Sequence, residues 1–333
     1  MGRPTLEDVA SRAGVSRALV SLVLRGSTRV SAESRRKVRA AAADLGYRPN
    51  VMARNLASRR SRTVGLLLND LHNPWFAEVS EGIEHVAAEH GYRVLISSGR
   101  GRPKSEEGAL ESFLDLRADG IILAGPRLET SSVETAAWEV PIVVVGRTMR
   151  TPQVDTVVND DRLGAKLVVR HLAELGHRAI AHIDGGSGAG ARPRRRGYEE
   201  SMRALGLADE IRVLHGDFTD VSGVDAAQRL LHSGDVPTAI FAGNDLAAAG
   251  VLDRLEDAGL RIPEDVSLVG YDNTFLAALH HMSLTTVDQP REAMGRLAMT
   301  ALLERIEGGR AKPVRHVVPP SLVVRRTSGP CRV

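Results

Sequence analysis

The chain has 333 residues, of which 43% are hydrophobic and 26% charged, so it can bury a large core and is long enough for two or three domains. No apolar run reaches the length of a membrane span, and the start, MGRPTLEDVASRAG, lacks the apolar stretch of a signal peptide, so we expect a cytoplasmic protein without membrane partners. The single cysteine, Cys331, excludes disulfides within the chain and cysteine-rich metal sites, and we predict no metal site.

Charge is divided unevenly along the chain. Residues 1–62 contain fourteen Lys and Arg but only four Asp and Glu, whereas the remaining residues contain thirty basic and thirty-seven acidic ones. The net charge of +3 therefore combines a strongly basic N-terminal segment with an acidic body. A basic segment of this size has an electrostatic reason to bind nucleic-acid phosphates.

Residues 5–25, TLEDVASRAGVSRALVSLVLR, predict two short helices joined by a glycine turn. Thr5 followed by Asp8 resembles a capping box, Gly14 can end the first helix in a left-handed conformation, and Ser16 can cap the second. The outer face of the second helix would present Arg17, Ala18, Ser21, Leu22 and Arg25. This pattern is typical of a helix-turn-helix that enters the DNA major groove, and a generic helical hairpin is the alternative.

A third helix is predicted over residues 32–45, with Ser31 as its N-cap and Gly46 at its end. The sequence YRPN then interrupts the helical pattern, and residues 50–58, NVMARNLAS, follow as a short helix-compatible linker flanked by arginines. Because nine residues are marginal as an isolated helix, we expect this linker to become ordered when it binds a partner.

From residue 63 onward, buried strands alternate with amphipathic helices. The predicted strands are TVGLLLND, YRVLISSG, GIILAG and PIVVVG and, after a break at VDTVVND, RAIAHIDG, IRVLHGDF, TAIFAGND and DVSLVGYD. Continuous apolar strands between helices predict an α/β fold with two parallel sheets, each covered on both faces. Ligands of such sheets bind outside the carboxyl ends of the strands, where polar residues recur in this sequence.

The motifs resemble, in order and over essentially the whole chain, those of transcription regulators of the lactose/galactose repressor (LacI/GalR) family. The matching segments are TLEDVASRAGVS, RVSAESRRKVRAAAADLGYRPN, NVMARNLAS, VGLLLNDLHNPWFAEVSEGIE, HLAELGHRAIAHI, RRRGYEESM, FAGNDLAAAGVL and IPEDVSLVGYDNTFLAALHHMSLTTVDQP. The resemblance implies an all-α helix-turn-helix headpiece, a hinge helix, and a two-lobed core like that of periplasmic sugar-binding proteins. The implied boundaries are 1–49 for the headpiece, 50–62 for the hinge and linker, 63–160 plus 291–319 for the N-terminal lobe, 161–288 plus 320–328 for the C-terminal lobe, and 329–333 for a tail.

The same resemblance implies a ligand-responsive, sequence-specific DNA-binding regulator, most simply a repressor, that is not an enzyme and needs no cofactor. It would bind a near-palindromic operator in double-stranded nucleoid DNA as a homodimer, with a small polar effector in the cleft between its lobes. The DNA-contacting positions carried over from the family are Thr5, Ser16, Arg17, Ala18, Ser21, Leu22, Arg25, Asn50, Ala53, Arg54 and Leu56.

DNA recognition by the second helix and by the hinge depends on particular side chains. Leu19, Leu22 and Arg25 stand where the commoner family form has Thr, Arg and Asn, so the operator of relatives is not transferable, and loss of sequence specificity is the alternative. Leu56 matches the leucine that in the family inserts between base pairs in the minor groove, where an apolar wedge kinks the duplex. A plain linker with Leu56 packed on the core is the other interpretation.

The effector-contacting positions implied by the resemblance belong to motifs at strand ends and loops. They are Trp75, Phe76, Asp160, Arg194, Phe218, Asn244 and Asp272. An aromatic face with Arg, Asp and Asn at its edges can hold a sugar or nucleoside ring. The loop GGSGAGARPRRRG is unusually rich in glycine and arginine for the family, and Arg192, Arg195 or Arg196 would suit an anionic effector.

Two other functions remain as alternatives. Strand RAIAHID followed by Gly186, Gly188 and Ala191 resembles a dinucleotide-binding fingerprint, so residues 185–196 would serve an NADP-dependent oxidoreductase. No acidic residue, however, clearly ends the next strand. A solute-binding protein would explain the body but not the basic N-terminal segment. The chain ends in VRRTSGPCRV without a leucine-heptad helix, so we expect a dimer rather than a tetramer and an exposed Cys331 on a loose tail.

Overall fold

A computed structural model of the chain describes residues 4–24, 27, 29–47 and 60–331. The contacts divide the chain into two compact units, Met1–Ser61 and Arg62–Val333, and each is described by itself. No helix in the described part of the chain is both long and apolar enough to span a membrane.

The described residues of the N-terminal unit form three helices, α1 Leu6–Ala13, α2 Arg17–Leu24 and α3 Ala32–Asp44. The capping box forms as predicted, because the Thr5 hydroxyl accepts a hydrogen bond from the Asp8 amide while the Thr5 amide donates to the Asp8 carboxylate over 2.7 Å. Gly14 has a φ of 64°, the left-handed conformation that ends α1 and starts the turn. Val9, Val20 and Val38, one from each helix, are fully buried and form the centre of this small core.

Two six-stranded sheets form the larger unit, and each defines a lobe. The N-terminal lobe has the strand order β11-β5-β4-β3-β1-β2, all parallel. Its strands are β1 Thr63–Leu68, β2 Arg93–Ser98, β3 Gly120–Ala124, β4 Ile142–Val145, β5 Val154–Asn159 and β11 Arg315–Val318. Its helices are α4 Pro74–Glu89, α5 Pro103–Asp115, α6 Thr130–Ala137 and α12 Arg291–Ile306.

The C-terminal lobe has the order β12-β10-β9-β8-β6-β7, parallel except for β12, which pairs antiparallel with β10. Its strands are β6 Ile180–Ile183, β7 Arg212–Leu214, β8 Ala239–Ala242, β9 Ser267–Asp272, β10 Thr285–Asp288 and β12 Ser321–Val323. Its helices are α7 Asp161–Glu174, α8 Ala191–Ala204, α9 Asp220–Ser233, α10 Asp245–Asp257 and α11 Phe275–Ala278. The chain passes between the two sheets three times, after β5, after β10 and after β11.

Each sheet is buried on both faces, which explains the continuous apolar strands in the sequence. In β1, Leu66 packs with α4 and α12 on one face, whereas Leu67 packs with α5 and α6 on the other. In β8, Ile240 and Phe241 point in the same way into two separate clusters. The predicted α/β class with two parallel-sheet lobes behind a helical N-terminal region is confirmed.

Two details differ from the sequence prediction. VDTVVND, which the pattern presented as a break, forms the fully buried strand β5. The C-terminal segment is not a loose tail, because Gly329 donates to the Ser267 hydroxyl over 3.1 Å and the Cys331 amide donates to the Leu175 carbonyl over 2.8 Å. Cys331 is therefore half-buried against the C-terminal lobe, and the expectation that it is exposed was wrong.

Candidate DNA-binding and effector sites

The second helix of the N-terminal unit has an outer face that is small and basic. Arg17 and Ala18 are exposed, Leu22 is 37% exposed, and Ser21 is half-buried. Leu19 packs against the core of the unit and is therefore not part of that face. Arg25, Asn50, Ala53, Arg54 and Leu56 lie outside the described residues, so their DNA-contacting roles remain predictions.

Thr5 and Ser16 are both helix caps. Ser16 accepts a hydrogen bond from the Leu19 amide over 3.2 Å, and Thr5 belongs to the capping box of α1. Both residues are exposed, so a second role toward a DNA phosphate is sterically open to them.

A cavity of about 800 Å³ lies in the larger unit, where the carboxyl ends of the strands of the two lobes face one another. Its volume is ample for a small metabolite. Six of the seven predicted effector residues line it: Trp75, Phe76, Arg194, Phe218, Asn244 and Asp272. Residues that the sequence interpretation did not select also line it, among them Asn69, Arg100, Arg102, Arg127, Asp161, Asp217 and Gln289.

The prediction that Asp160 contacts the effector has to be corrected. Its carboxylate caps α7 by accepting a hydrogen bond from the Leu163 amide over 3.0 Å, and it does not line the cavity. The next residue, Asp161, lies there instead, with only 5% of its surface exposed. The motif NDD offered two adjacent carboxylates, and Asp160 uses its own as the N-cap of α7, which leaves Asp161 to face the cavity.

Arg194 is the charged centre of the cavity wall in the C-terminal lobe. Its Nε donates to Asp161 Oδ1 over 2.9 Å, one of its terminal nitrogens donates to the Gly243 carbonyl over 2.6 Å, and the same nitrogen lies 3.7 Å from Asp272 Oδ1. The guanidinium also lies 3.7 Å from the centre of the Tyr271 ring and 5.3 Å from that of Phe218. The partners that burial of Arg194 requires are therefore supplied within the protein.

Burial lowers the pKa of Arg194, but the charges of Asp161 and Asp272 outweigh it and hold the pKa above its ordinary value. Burial also raises the pKa of Asp272, to about 8, although the charge of Arg194 acts in the opposite direction. Asp272 accepts a further hydrogen bond from Gln289. The wall thus consists of buried groups that satisfy one another.

Backbone conformation at this wall is unusual. Phe218, Asp272 and Asn273 have φ values of 73°, 110° and 53°, in the left-handed region that non-glycine residues rarely adopt. Such residues are stable only when surrounding contacts hold them, and they concentrate at binding sites. Asp272 is the last residue of β9, and Phe218 and Asn273 follow strands of the C-terminal lobe.

The glycine-rich loop before α8 is filled by a side chain of the protein. A Cβ atom on Gly185 would lie 2.0 Å from Phe218 Cζ, and one on Gly188 would lie 2.6 Å from the same ring. Gly185 and Gly188 therefore make room for Phe218, and because Gly188 is one of the two glycines of the fingerprint, this weakens the case for a pyrophosphate-binding turn and for the oxidoreductase hypothesis. Arg192, Arg195 and Arg196 do not line the cavity, and Arg195 instead donates to Glu199 over 2.8 Å.

Polar atoms without partners belong to the opposite, N-terminal-lobe wall. Trp75 Nε1, Asn69 Oδ1 and Arg127 Nε are buried and have no hydrogen-bond partner among the described residues. Trp75 itself is only 6% exposed and packs edge-on against Phe76, with the ring centres 4.9 Å apart. Unsatisfied buried donors and acceptors are rare and costly, so these atoms indicate a place where a polar ligand or water completes the site.

Asn244 lines the cavity with its amide already bonded. Its oxygen accepts from the Ala247 amide over 2.9 Å, and its nitrogen donates to the Phe218 carbonyl over 3.0 Å. The residue is therefore the N-cap of α10 and a support for Phe218 as well as a cavity residue. Its sequence signal, an Asn at a strand end before a helix, fits both roles.

Arg291 connects the two lobes beside the cavity. It donates to the Glu78 carboxylate of α4 over 2.6 Å and to the Asp288 carboxylate over 3.1 Å, and it also donates to the carbonyl of Asp272. Direct hydrogen bonds therefore connect the backbone of Asp272 through Arg291 to a helix of the N-terminal lobe.

Each of the two units is similar to a known protein family. Residues 5–50 match the sequence profile described as "Bacterial regulatory proteins, lacI family", and residues 169–328 match that described as "Periplasmic binding protein-like domain". Catabolite control protein A of Priestia megaterium is 35% identical over 305 residues, which cover 90% of this chain and 91% of that protein. The HTH-type transcriptional repressor CytR of Escherichia coli strain K12 is also 35% identical, over 96% of this chain and 95% of its own.

A solved structure extends the likeness to the fold. The crystal structure of the lac repressor dimer bound to operator and the anti-inducer ONPF matches with a TM-score of 0.88 at 31% identity, covering 98% of this chain and 100% of that one.

Proposed function

The chain belongs to the LacI family of bacterial regulators and is a ligand-responsive DNA-binding transcriptional regulator, and we propose that its effector binds in the cavity between the lobes. Trp75, Phe76, Arg194, Phe218, Asn244 and Asp272, together with Asp161 in place of Asp160, form the proposed site.

The observation that carries this proposal is the pair of orphaned polar atoms at the cavity. Trp75 Nε1 needs an acceptor and Asn69 Oδ1 needs a donor. A hydroxyl group provides both, whereas an apolar ligand provides neither. Together with the Trp75 and Phe218 rings, these atoms favour a small hydroxylated ring such as a sugar or a nucleoside.

Effector control follows from the position of the cavity. A ligand that contacts both lobes favours one angle between them, and it can shift that equilibrium only by its difference in affinity for the two states. The Asp272–Arg291–Glu78 connection links the site to the N-terminal lobe. The sign of the response then depends on which lobe angle favours operator binding.

The two tryptophans of the chain supply the test. Trp138 is 77% exposed and lies outside the cavity, so Trp138→Phe leaves Trp75 as the only indole and makes its fluorescence a direct reporter of ligand binding. We expect a screen of sugars and nucleosides against this variant to give a saturable change. Trp75→Phe removes only the orphaned N–H, and we expect it to retain DNA binding in a gel shift while needing about tenfold more ligand.

Trp138→Phe is the matched control, because it changes the same residue type in the same lobe. If Trp75→Phe and Trp138→Phe respond to the same ligand concentrations, the effector site is misplaced.

For DNA recognition we propose that the outer face of α2 reads the major groove of a near-palindromic operator and that Leu56 inserts in the minor groove between two half-sites. The basic charge of residues 1–62 and the homodimer of the similar lac repressor support this arrangement. It implies work in the cytoplasm at nucleoid DNA. Leu56→Ala should weaken specific binding and remove the central kink, and an unchanged affinity and bend angle would refute the wedge.

A further inference from the structure

We infer that the N-terminal-lobe wall of the cavity is an anion subsite, formed by Arg100, Arg102 and Arg127, and that the effector is the phosphate monoester of a hydroxylated metabolite. This inference rests on the proposed effector site and adds the chemical class of its ligand.

The first observation is that none of these three guanidinium groups forms a close ion pair among the described residues. Arg100, Arg102 and Arg127 all line the cavity, and none lies within 4.0 Å of a carboxylate in the described part of the chain. Arg194, in contrast, contacts both Asp161 and Asp272. The positive charge of the opposite wall is therefore balanced by the protein, whereas that of this wall is available to a ligand.

The carboxylates that share the cavity form no close ion pair with these arginines. Burial raises the pKa of Asp217, but hydrogen bonds from Thr219 and Ser222 and, at longer range, the charge of Arg127 lower it overall. Asp70 accepts from the His72 amide over 3.0 Å and lies 2.8 Å from the His72 ring nitrogen. Asp217 accepts from the Thr219 amide over 3.1 Å and from its hydroxyl over 2.5 Å. Both already have hydrogen-bond donors close by in their own loops.

The sheet brings the three arginines together. Arg100 and Arg102 follow β2, and Arg127 follows β3, while β1 pairs with both strands between them. Two strand spacings amount to about 10 Å, so long arginine side chains from the two loops can reach one bound group. Guanidinium groups are the side chains best suited to phosphate oxygens.

The loop that carries Arg127 is built to present its side chain. Buried Glu106 accepts from the Arg127 amide over 2.7 Å and from the Leu128 amide over 3.0 Å, which fixes the backbone. The Arg127 Nε is buried and unpartnered, and the guanidinium has only a 3.4 Å contact with the Ser187 hydroxyl across the cleft.

A helix adds to the same positive field. The thirteen-residue helix α5 begins at Pro103 directly after Arg102, and no side chain caps its N-terminus. The positive end of the helix dipole favours an anion, and it lies beside two of the three arginines. Pro103 has no amide N–H, and the Ser105 and Glu106 amides already donate to the Arg102 carbonyl, so this contribution comes from the dipole more than from free amides. Trp75, buried with an unpartnered N–H, lines the same cavity and supplies one more donor.

The test uses inorganic phosphate as the probe, compared with chloride at equal ionic strength, and thermal unfolding of the full chain as the readout. Arg100→Gln with Arg102→Gln removes two exposed charges of the subsite, and Arg93→Gln with Arg315→Gln removes two exposed charges of the same lobe outside the cavity. We expect phosphate to raise the melting temperature of the wild type and the control pair, and to have no such effect on the Arg100/Arg102 pair. An equal response of all three proteins, or none in the wild type, overturns the subsite.

Matched ligands distinguish a free anion from an ester. In the Trp138→Phe background, glucose and glucose 6-phosphate, ribose and ribose 5-phosphate, and adenosine and its 5′-monophosphate are titrated in pairs. We expect at least one phosphorylated member to bind at least tenfold more tightly than its partner, and the Arg100/Arg102 pair to lose that advantage. Inorganic phosphate that by itself changes operator binding would overturn the ester assignment in favour of a free anion.

Different results would refute the proposed effector site and the proposed anion subsite. If neutral members bind as tightly as phosphorylated ones and still change operator binding, the anion subsite is wrong and the effector site stands. If ligands change operator binding without altering Trp75 fluorescence, the effector site itself is wrong and the subsite falls with it.

Discussion

Replacement of Arg194 by alanine tests the idea that the C-terminal-lobe wall is a self-balanced unit. The change leaves the carboxylates of Asp161 and Asp272 at 5% and 3% exposure with no guanidinium between them. Removing one member of a buried ion pair costs about 3–5 kcal/mol, and loss of the contact with the Tyr271 ring adds to it. Since the total free energy of unfolding of such a protein is about 5–15 kcal/mol, we expect a severe loss.

The neighbouring Arg195 provides a matched control on the same helix. Its side chain is 49% exposed, pairs with Glu199 one turn away and lies 3.6 Å from the Asp184 carboxylate, and for such a half-exposed arginine these pairs contribute about 1 kcal/mol or less. Urea unfolding followed by circular dichroism should therefore separate Arg194→Ala from Arg195→Ala by at least about 2 kcal/mol.

The pH dependence of this loss has a definite sign. Burial raises the pKa of Asp272 to about 8, above the value of about 3.9 in an unfolded chain, so the folded protein binds more protons between these values. Stability contributed by protonated Asp272 is therefore lost as the pH rises through that window. Without Arg194 the pKa rises further, so the destabilisation should be larger at pH 8.5 than at pH 5.5. A loss below about 1 kcal/mol, or one independent of pH, would refute the reasoning.

Two further predictions concern packing. Gly185→Ala should push Phe218 from its place and destabilise the protein by about 1–3 kcal/mol. In a urea double-mutant cycle, the added methyl group should cost less stability in a Phe218→Ala background than in the wild type. Additive losses would contradict the contact between Gly185 and the Phe218 ring. Val20→Asp places a charge in the fully buried centre of the N-terminal unit, so gel shifts should show no DNA binding. Calorimetry should show the unfolding transition of the larger unit unchanged. Loss of DNA binding together with loss of that transition would contradict two independent units.

The elements that are defined by local sequence were predictable. The capping box at Thr5, the left-handed Gly14 and the apolar strands β1, β3 and β4 depend on residues within one or two turns or on uniform burial. Strand β5 was missed because VDTVVND mixes apolar residues with Asp155, whose carboxylate is buried by pairing with Arg305 and Arg310, distant in sequence. Only the folded chain reveals that pairing.

The candidate site residues also divide into those that local sequence predicts and those that depend on contacts distant in sequence. Motif positions placed six residues at the cavity, but the choice between Asp160 and Asp161 depended on where Arg194 lies, thirty-three positions along the chain. The glycines before α8 were misinterpreted because their purpose is space for Phe218, which comes from another strand end. The arginines of α8 drew attention by their number, but only Arg194 among them lines the cavity, and the other cavity arginines are dispersed over the loops after β2 and β3.

The contrast between the two cavity walls has a consequence for how such a regulator can diversify. In the C-terminal lobe, Asp161, Arg194 and Asp272 depend on one another, so a single change there threatens the whole lobe. In the N-terminal lobe, Arg100 and Arg102 are exposed and their side chains form no hydrogen bond or ion pair with other described residues, so they can be exchanged one at a time. Altered ligand specificity should therefore emerge from the loops after β2 and β3, which makes these loops the natural targets for directed evolution of new biosensors.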